Sequence, residues 1–383
     1  VALVDKAVFP RDKACGDLLG PRALALLASL NLTPPNGRRV GEMVVVGPSG
    51  RRVVLPARAG RTYPDHGLAI ARTRLDAWTR EHAISAGAEP ITGLVRSARG
   101  NLVELDDGRQ LIGDVVVGAD GASSRVATDA GLVDPTAVLW GFAQRTYVDQ
   151  TVDRPAIVLW DYARRSGFPG YGWIFPGEDH ANIGLGIGLR ADRASASRAV
   201  AEFNSFCDHL RHIGLLTAAV DGRRLGGWLK MGSVGTIVAR ERTFLVGDAA
   251  GLVNPLQGEG IAPAMASGAI AATAILAGPG TAAAHYRRLL SNGPGRFSAA
   301  ASPLHHATIN GSPARVAVLG RALTLPVVCT LIAPTWALLW NDLVDGAFPG
   351  STTRISRVAL ATGRFATRWT TIGKRLRVDL DDE

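Results

Sequence analysis

Phe244-Leu245-Val246-Gly247-Asp248-Ala249-Ala250-Gly251, continued by Asn254-Pro255-Leu256-Gln257-Gly258-Glu259-Gly260-Ile261, is the stretch that decides the fold. An apolar run of β character ends on Gly-Asp, a glycine-rich turn follows, and a helix begins near Gly260. A strand that passes into a helix through glycines presents backbone amides and a carboxylate at one place. Asp248 is placed to accept a hydrogen bond from a ligand hydroxyl. The amides of Gly258 to Ile261 open a helix, where negative charge is favoured. A plain strand–turn–helix with a capping Asp accounts for one half of the stretch only.

Working outward, the same device recurs at Val115-Val116-Val117-Gly118-Ala119-Asp120-Gly121-Ala122-Ser123-Ser124-Arg125. Taken alone, this segment is only moderately specific, and the alternative is that Asp120 merely caps the following helix. Three further segments stand out: Phe9-Pro10-Arg11-Asp12-Lys13-Ala14-Cys15-Gly16-Asp17, Arg72-Thr73-Arg74-Leu75-Asp76, and Tyr171-Gly172-Trp173-Ile174-Phe175-Pro176, the last followed by Asn182-Ile183-Gly184.

The remaining pattern sets the organisation. Val1 to Asp5 is a short apolar run ending in an acid, and Pro21 to Leu32 has helical spacing. Val40 to Leu55 reads as a hairpin turning at Gly47 to Gly50. Leu75 to Ala86 reads as a helix, and strands are expected at Leu102–Leu105 and Gln110–Val117. Gly141 to Gly188 is β-rich, Val200 to Leu215 is helical, and the chain after Ala300 reads as mainly helical. Alternating βα units around a separate β-rich block give an α/β (α+β) fold: a Rossmann-like nucleotide domain with an inserted β-sheet domain and a helical tail. The expected division is 1–38, 66–136 and 239–300 for the nucleotide domain, 39–65 and 137–238 for the inserted sheet, and 301–383 for the tail. No GxGxxG precedes Asp5. The expectation is that about 30 residues carrying the first strand and that loop lie upstream, because a parallel sheet without its central strand exposes unpaired backbone.

The order of these motifs, FPRDKxCGD, RxxLD, GADGxxS, YGWIFP and GDAAGxVNPLxGEGI, resembles the geranylgeranyl reductase family of FAD proteins, which share the p-hydroxybenzoate hydroxylase-like fold. The resemblance runs from Asp5 to about Ala271. It implies FAD as cofactor, with Asp5 at the adenosine ribose, Arg72 and Asp120 along the FAD chain, and Asp248 with Gly258, Glu259, Gly260 and Ile261 at the ribityl and isoalloxazine end. Arg11, Gly121 and Gly247, inside the same motifs, join the cofactor-binding set. Tyr171, Trp173 and Phe175 look like the family's substrate-cavity lining, and Cys15 falls at the family's cysteine beside the flavin. A lone cysteine is more often a small buried hydrophobe, so a catalytic role for Cys15 stays open.

Composition narrows the partners. The net charge is +9 with four lysines (Lys6, Lys13, Lys230 and Lys374) among 42 basic residues. The arginines are scattered, as GC-rich coding produces, and no basic cluster alternates with aromatics, so nucleic acid is not the expected partner. The positive field suits an acidic substrate or a membrane surface. Cys15, Cys207 and Cys329 form neither a disulfide framework nor a metal-ligand spacing, and a reducing cytoplasm is the expected compartment. No metal is expected. His305-His306 reads as a helix pair without further ligands, and Trp336 with Trp340 as core. The uncharged run Ala322 to Trp340 is broken by Pro326 and Pro334, which favours a cavity wall over a membrane span. Arg354 to Arg377 interleaves Leu360, Phe365, Trp369 and Ile372, so it reads either as a solvated helix or as a peripheral membrane contact.

The leading expectation is an FAD-dependent oxidoreductase acting on a large, mostly hydrocarbon substrate, prenyl or polyketide in type and compatible with an anionic head group. NAD(P)H or another donor would supply electrons. Three alternatives remain: an FAD-containing, non-redox [4+2] cyclase of a spirotetronate-type polyketide pathway; a flavin monooxygenase; and a non-catalytic prenyl binder like the Rab escort proteins.

Overall fold

The structure is a computed structural model that describes residues 1–47, 50–56, 64–158, 170–189, 195–255, 258–278 and 280–293, with Ser302 and Leu325. The described residues form two compact units. The first gathers those of Val1–Lys13, Ala71–Leu139 and Leu229–Ala299, and the second those of Ala14–Ile70 and Trp140–Trp228, with Ser302 and Leu325.

In the first unit, strand Ala2–Asp5 pairs in parallel with Glu89–Thr92. Strand Val116–Gly118 pairs in parallel with Thr243–Leu245, which pairs antiparallel with Ala239–Arg240. Because the two apolar strands run side by side in the same direction, the turns that follow them emerge at the same sheet edge. Phe244 and Leu245 are fully buried, and the Tyr286 hydroxyl donates to the Leu245 carbonyl at 2.7 Å. That bond ties helix Ala282–Asn292 to the strand. An antiparallel sheet, Val95–Arg99, Leu102–Leu105 and Gln110–Ile112, completes the unit with helix Arg72–Ser85.

The second unit holds a seven-stranded sheet in the order Leu225–Met231, Leu139–Val148, Ala181–Leu189, Gly170–Pro176, Ala156–Val158, Glu42–Val46, Arg52–Pro56. The chain passes into the first unit within Leu225–Met231. Helix Ser195–His212 buries Phe203, Phe206 and Leu210. A Cβ on Gly172 would sit 2.0 Å from Phe206 Cζ, so this strand admits the helix through a missing side chain.

Several boundaries differ from the sequence reading, among them residues 66–70, which fall in the second unit, and 137–139, which fall in the first. Residues 14–38 pack with the second unit because Leu18–Leu19 pairs with Gly67–Ala69, which in turn pairs with Arg38–Val40. Residues 229–238 pack with the first unit, where Ser233 N–H donates to Gly251 O at 2.7 Å. The single strand expected over Gln110–Val117 is two strands, broken at Gly113-Asp114-Val115, that belong to different sheets. Cys329, His305-His306, Trp336, Trp340, the run Ala322 to Trp340 and the basic segment Arg354 to Arg377 lie outside the described residues. Among the described residues no helix is long and apolar enough to cross a membrane.

Candidate functional site

The two motif aspartates of the first unit are delivered by the parallel pair. Gly118 stands in register with Leu245, and Val246 N–H donates to Gly118 O at 3.0 Å. Asp120 and Asp248 therefore follow neighbouring strand ends, the edge at which open α/β sheets bind ligands.

Asp120 caps the short helix Arg125–Asp129. Its Oδ2 accepts from the amides of Arg125 and Val126 at 2.6 and 3.1 Å, and its Oδ1 accepts from the Ser124 hydroxyl at 2.5 Å. Asp120 is nonetheless exposed, so the cap leaves its outer side to solvent or ligand. Gly121 turns the chain with φ +81°.

Asp248 sits in a one-turn 3-10 helix, Gly247–Ala250. Gly247 has φ +54°, and a Cβ there would lie 3.0 Å from Ala264 Cβ. Its N–H donates to Ser267 Oγ at 2.9 Å. Glycine thus lets helix Ile261–Leu276 close against the Gly-Asp turn. A Cβ on Gly260 would meet Asp248 Oδ1 at 3.3 Å, so the carboxylate lies against bare backbone at that helix's start. Glu259 Oε1 accepts from Ala262 N–H at 2.7 Å, and its carbonyl accepts from Asn254 N–H at 2.8 Å. The loop is fixed at both ends, with Gly258 exposed between them.

A second cluster of this unit is built on Asp76, to which sequence reasoning gave no role. Arg72 reaches Asp76 with two hydrogen bonds, 2.8 and 2.9 Å, and Arg11 reaches Oδ2 at 2.5 Å. The i,i+4 spacing of Arg72 and Asp76 was the available signal. Arg11 and Arg80 both stand over the Phe9 ring, at 5.2 and 5.3 Å. Asp5 is separate from both clusters in its contacts: its Oδ1 accepts from Ala7 N–H at 2.8 Å.

The residues expected to meet substrate lie in the second unit. Tyr171, Trp173 and Phe175 form a row with ring centroids 6.3 and 6.1 Å apart. Alternation along one strand face places them so. Trp173 and Phe175 are buried and Tyr171 is half-buried. Trp173 Nε1–H donates to Asn182 Oδ1 at 2.9 Å, and Asn182 Nδ2 donates to Asp17 Oδ2 at 2.9 Å and to Cys15 O at 2.8 Å. Tyr147 hydroxyl donates to the same Asp17 oxygen at 2.6 Å. Cys15 Sγ accepts from Asp17 N–H at 3.3 Å. Cys15 is thus held inside a polar network whose members Asp17 and Tyr147 carried no sequence-level role. Of the basic residues just before Cys15, Arg11 pairs with Asp76 and Lys13 lies 3.9 Å from Asp248. Among the described residues no group of three or more His, Cys, Asp or Glu is arranged to hold a metal ion.

This donor set fits a dinucleotide: two carboxylates at adjacent parallel strand ends, a glycine-lined approach at Gly260, and a helix N-terminus beside them. Comparison with known proteins bears on the same residues. A sequence profile of the FAD binding domain family matches residues 85–296. The menaquinone reductase of Mycolicibacterium smegmatis is 33% identical over 291 residues, which is 73% of this chain and 71% of that protein. The geranylgeranyl diphosphate reductase of Rhodobacter capsulatus is 30% identical over 293 residues, 72% of this chain and 69% of that protein. The crystal structure of a geranylgeranyl bacteriochlorophyll reductase-like protein from Thermoplasma acidophilum superposes with a TM-score of 0.60 at 22% identity, covering 98% of this chain and 92% of that one, a likeness of fold.

Proposed function

This chain belongs to the geranylgeranyl reductase family of FAD-dependent oxidoreductases, and from that premise we propose that its substrate is a molecule with a long polyprenyl chain. The observation that carries the substrate class is the naming of the matched relatives. Menaquinone reductase, digeranylgeranylglycerophospholipid reductase and geranylgeranyl diphosphate reductase act on compounds whose shared part is a polyprenyl chain.

FAD, when bound, supplies hydride chemistry to a carbon–carbon double bond, with NAD(P)H as the donor we assign. The chain's own residues bind and orient. Asp248, beside the bare backbone of Gly260, is the acceptor we assign to a ribityl hydroxyl. Asp120 holds its loop through Ser124 and two amides. Asp76 fixes Arg11 and Arg72 so that their guanidinium groups are oriented before FAD arrives. In the second unit the row Tyr171–Trp173–Phe175 supports an apolar wall, with Tyr171 as the ring most open to a ligand. Each buried methylene of a chain contributes about 0.8 kcal/mol before ordering costs, so a prenyl chain is held without many polar contacts.

The test is a titration of the FAD-loaded protein followed by the flavin absorbance spectrum. Menaquinone or geranylgeranyl diphosphate should perturb the spectrum at concentrations where menadione, the ring without a chain, does not. Equal binding of menadione would overturn the proposed substrate class.

A further inference from the structure

Lysine is rare in this protein, and two of its four lysines face the carboxylate of Asp248. Lys13 approaches it to 3.9 Å from an exposed position. Lys230 is a buried neighbour whose charge interacts with Asp248 through space: it is 1% exposed, in the strand Leu225–Met231. Burying an ammonium group is costly unless opposite charges compensate it.

The surroundings of Lys230 are specific. The strand leads into a bridge between Met231 and Val253, followed by Gly232 N–H to Val253 O at 3.2 Å and Ser233 N–H to Gly251 O at 2.7 Å. A Cβ on Gly251 would lie 3.5 Å from Lys230 Cε. The lysine stem therefore packs against the turn that closes the Gly247–Gly251 segment. The charges that face its ammonium group are Asp120 and Asp248, the two motif aspartates; burial pushes Lys230 down to about 8, and the two carboxylates oppose that shift.

We propose that Lys230 is a positioning residue of the cofactor site, a buried cation that compensates Asp120 and Asp248 together so that their two strand-end turns accept an anionic dinucleotide. The inference rests on the FAD reading of this site. Two carboxylates at neighbouring strand ends repel each other and repel a pyrophosphate; one cation facing both offsets each repulsion.

A structural role and this role differ in sign. Lys230 has a folded value below its ordinary one, so the unfolded chain binds more protons between about pH 8 and pH 10.5, and the stability of the apoprotein rises with pH across that window. The buried charge thus costs stability at neutral pH, and an apolar replacement should not lower the apoprotein's melting temperature. FAD affinity should move the opposite way. FAD favours the protonated lysine, so wild-type affinity falls as pH rises through the lysine's value, by up to about tenfold between pH 7 and pH 9.

The experiment titrates FAD into wild type, Lys230→Met and Lys230→Arg apoproteins at pH 7 and pH 9, and records melting curves of each. We expect Lys230→Met to bind FAD at least tenfold more weakly at pH 7, with no pH dependence and no loss of melting temperature. Lys230→Arg should bind tightly at both pH values. A wild-type affinity that is the same at both pH values overturns the proposal, even if neither variant folds. So does a Lys230→Met affinity equal to wild type. Failure of the wild type to take up FAD at pH 7 overturns the FAD reading itself, a distinct outcome.

Discussion

Substituting Gly184 by alanine should unfasten the network that holds Cys15. A Cβ at Gly184 would lie 2.0 Å from Trp173 Cζ2 and 2.3 Å from Cε2, deep inside the ring's van der Waals surface. Trp173 is buried and its Nε1–H is committed to Asn182, so the ring cannot swing away without breaking that bond. Asn182 in turn donates to Asp17 and to the Cys15 carbonyl. Overpacking costs about 1–3 kcal/mol, and a buried hydrogen bond left half-made about 1–3 kcal/mol more. The expected destabilisation is therefore about 2–6 kcal/mol. Strand propensity slightly favours alanine over glycine, so the clash alone decides the sign. The control is Gly186→Ala on the same strand, where the added Cβ would meet Trp173 Cζ3 at 3.6 Å, an ordinary contact. Equilibrium urea unfolding followed by circular dichroism compares the two. If Gly184→Ala falls within about 0.5 kcal/mol of Gly186→Ala, the placement of Trp173 over Gly184 is wrong.

Other consequences can be checked singly. Asp248→Asn should weaken FAD binding about tenfold or more in a fluorescence titration, because a charge-assisted hydrogen bond contributes about 1.5–3 kcal/mol; unchanged affinity would remove Asp248 from the site. Cys207 is buried and its thiol is pushed up to about 11 by desolvation, so it stays protonated at neutral pH. A thiol reagent at pH 8 should modify the half-buried Cys15 and spare Cys207 until the protein unfolds, with peptide mapping as the readout. Tyr286→Phe should cost about 1–3 kcal/mol of stability, since it strands the buried Leu245 carbonyl beneath the Gly-Asp turn; a neutral result would show that helix Ala282–Asn292 does not anchor that strand.

The cofactor half of the fold was legible because its chemistry is local in sequence. A strand, a Gly-Asp pair and a helix start within Phe244 to Ile261 announce themselves by composition, and so does the second copy at Asp120. What brings the two copies together is the parallel pairing of Val116–Gly118 with Thr243–Leu245, a contact across more than a hundred residues that no local pattern specifies. Lys230 escaped for the same reason. One lysine in an apolar stretch carries no local signal; the bridge of its neighbour Met231 to Val253 is what brings its stem against the Gly251 turn. Asp17 ends a local motif, but its side-chain partners are not local. Its partners Tyr147 and Asn182 come from distant strands that share one antiparallel register, Tyr147 opposite Asn182. Boundaries failed where short strands recruit a segment into a neighbouring sheet. Leu18–Leu19 holds residues 14–38 with the second unit through two residues of pairing, below what hydrophobic periodicity resolves.

The most direct test of the account is an anaerobic half-reaction on the FAD-loaded protein. The flavin is first bleached with NAD(P)H or with dithionite added just to the endpoint, and geranylgeranyl diphosphate, a polyprenyl substrate with no quinone ring, is then added without oxygen. The account predicts that the yellow absorbance returns and that the substrate gains two hydrogens, one equivalent for each flavin reoxidised. A protein that takes up no flavin, or one whose bound flavin stays bleached in the presence of the polyprenyl substrate, would contradict it.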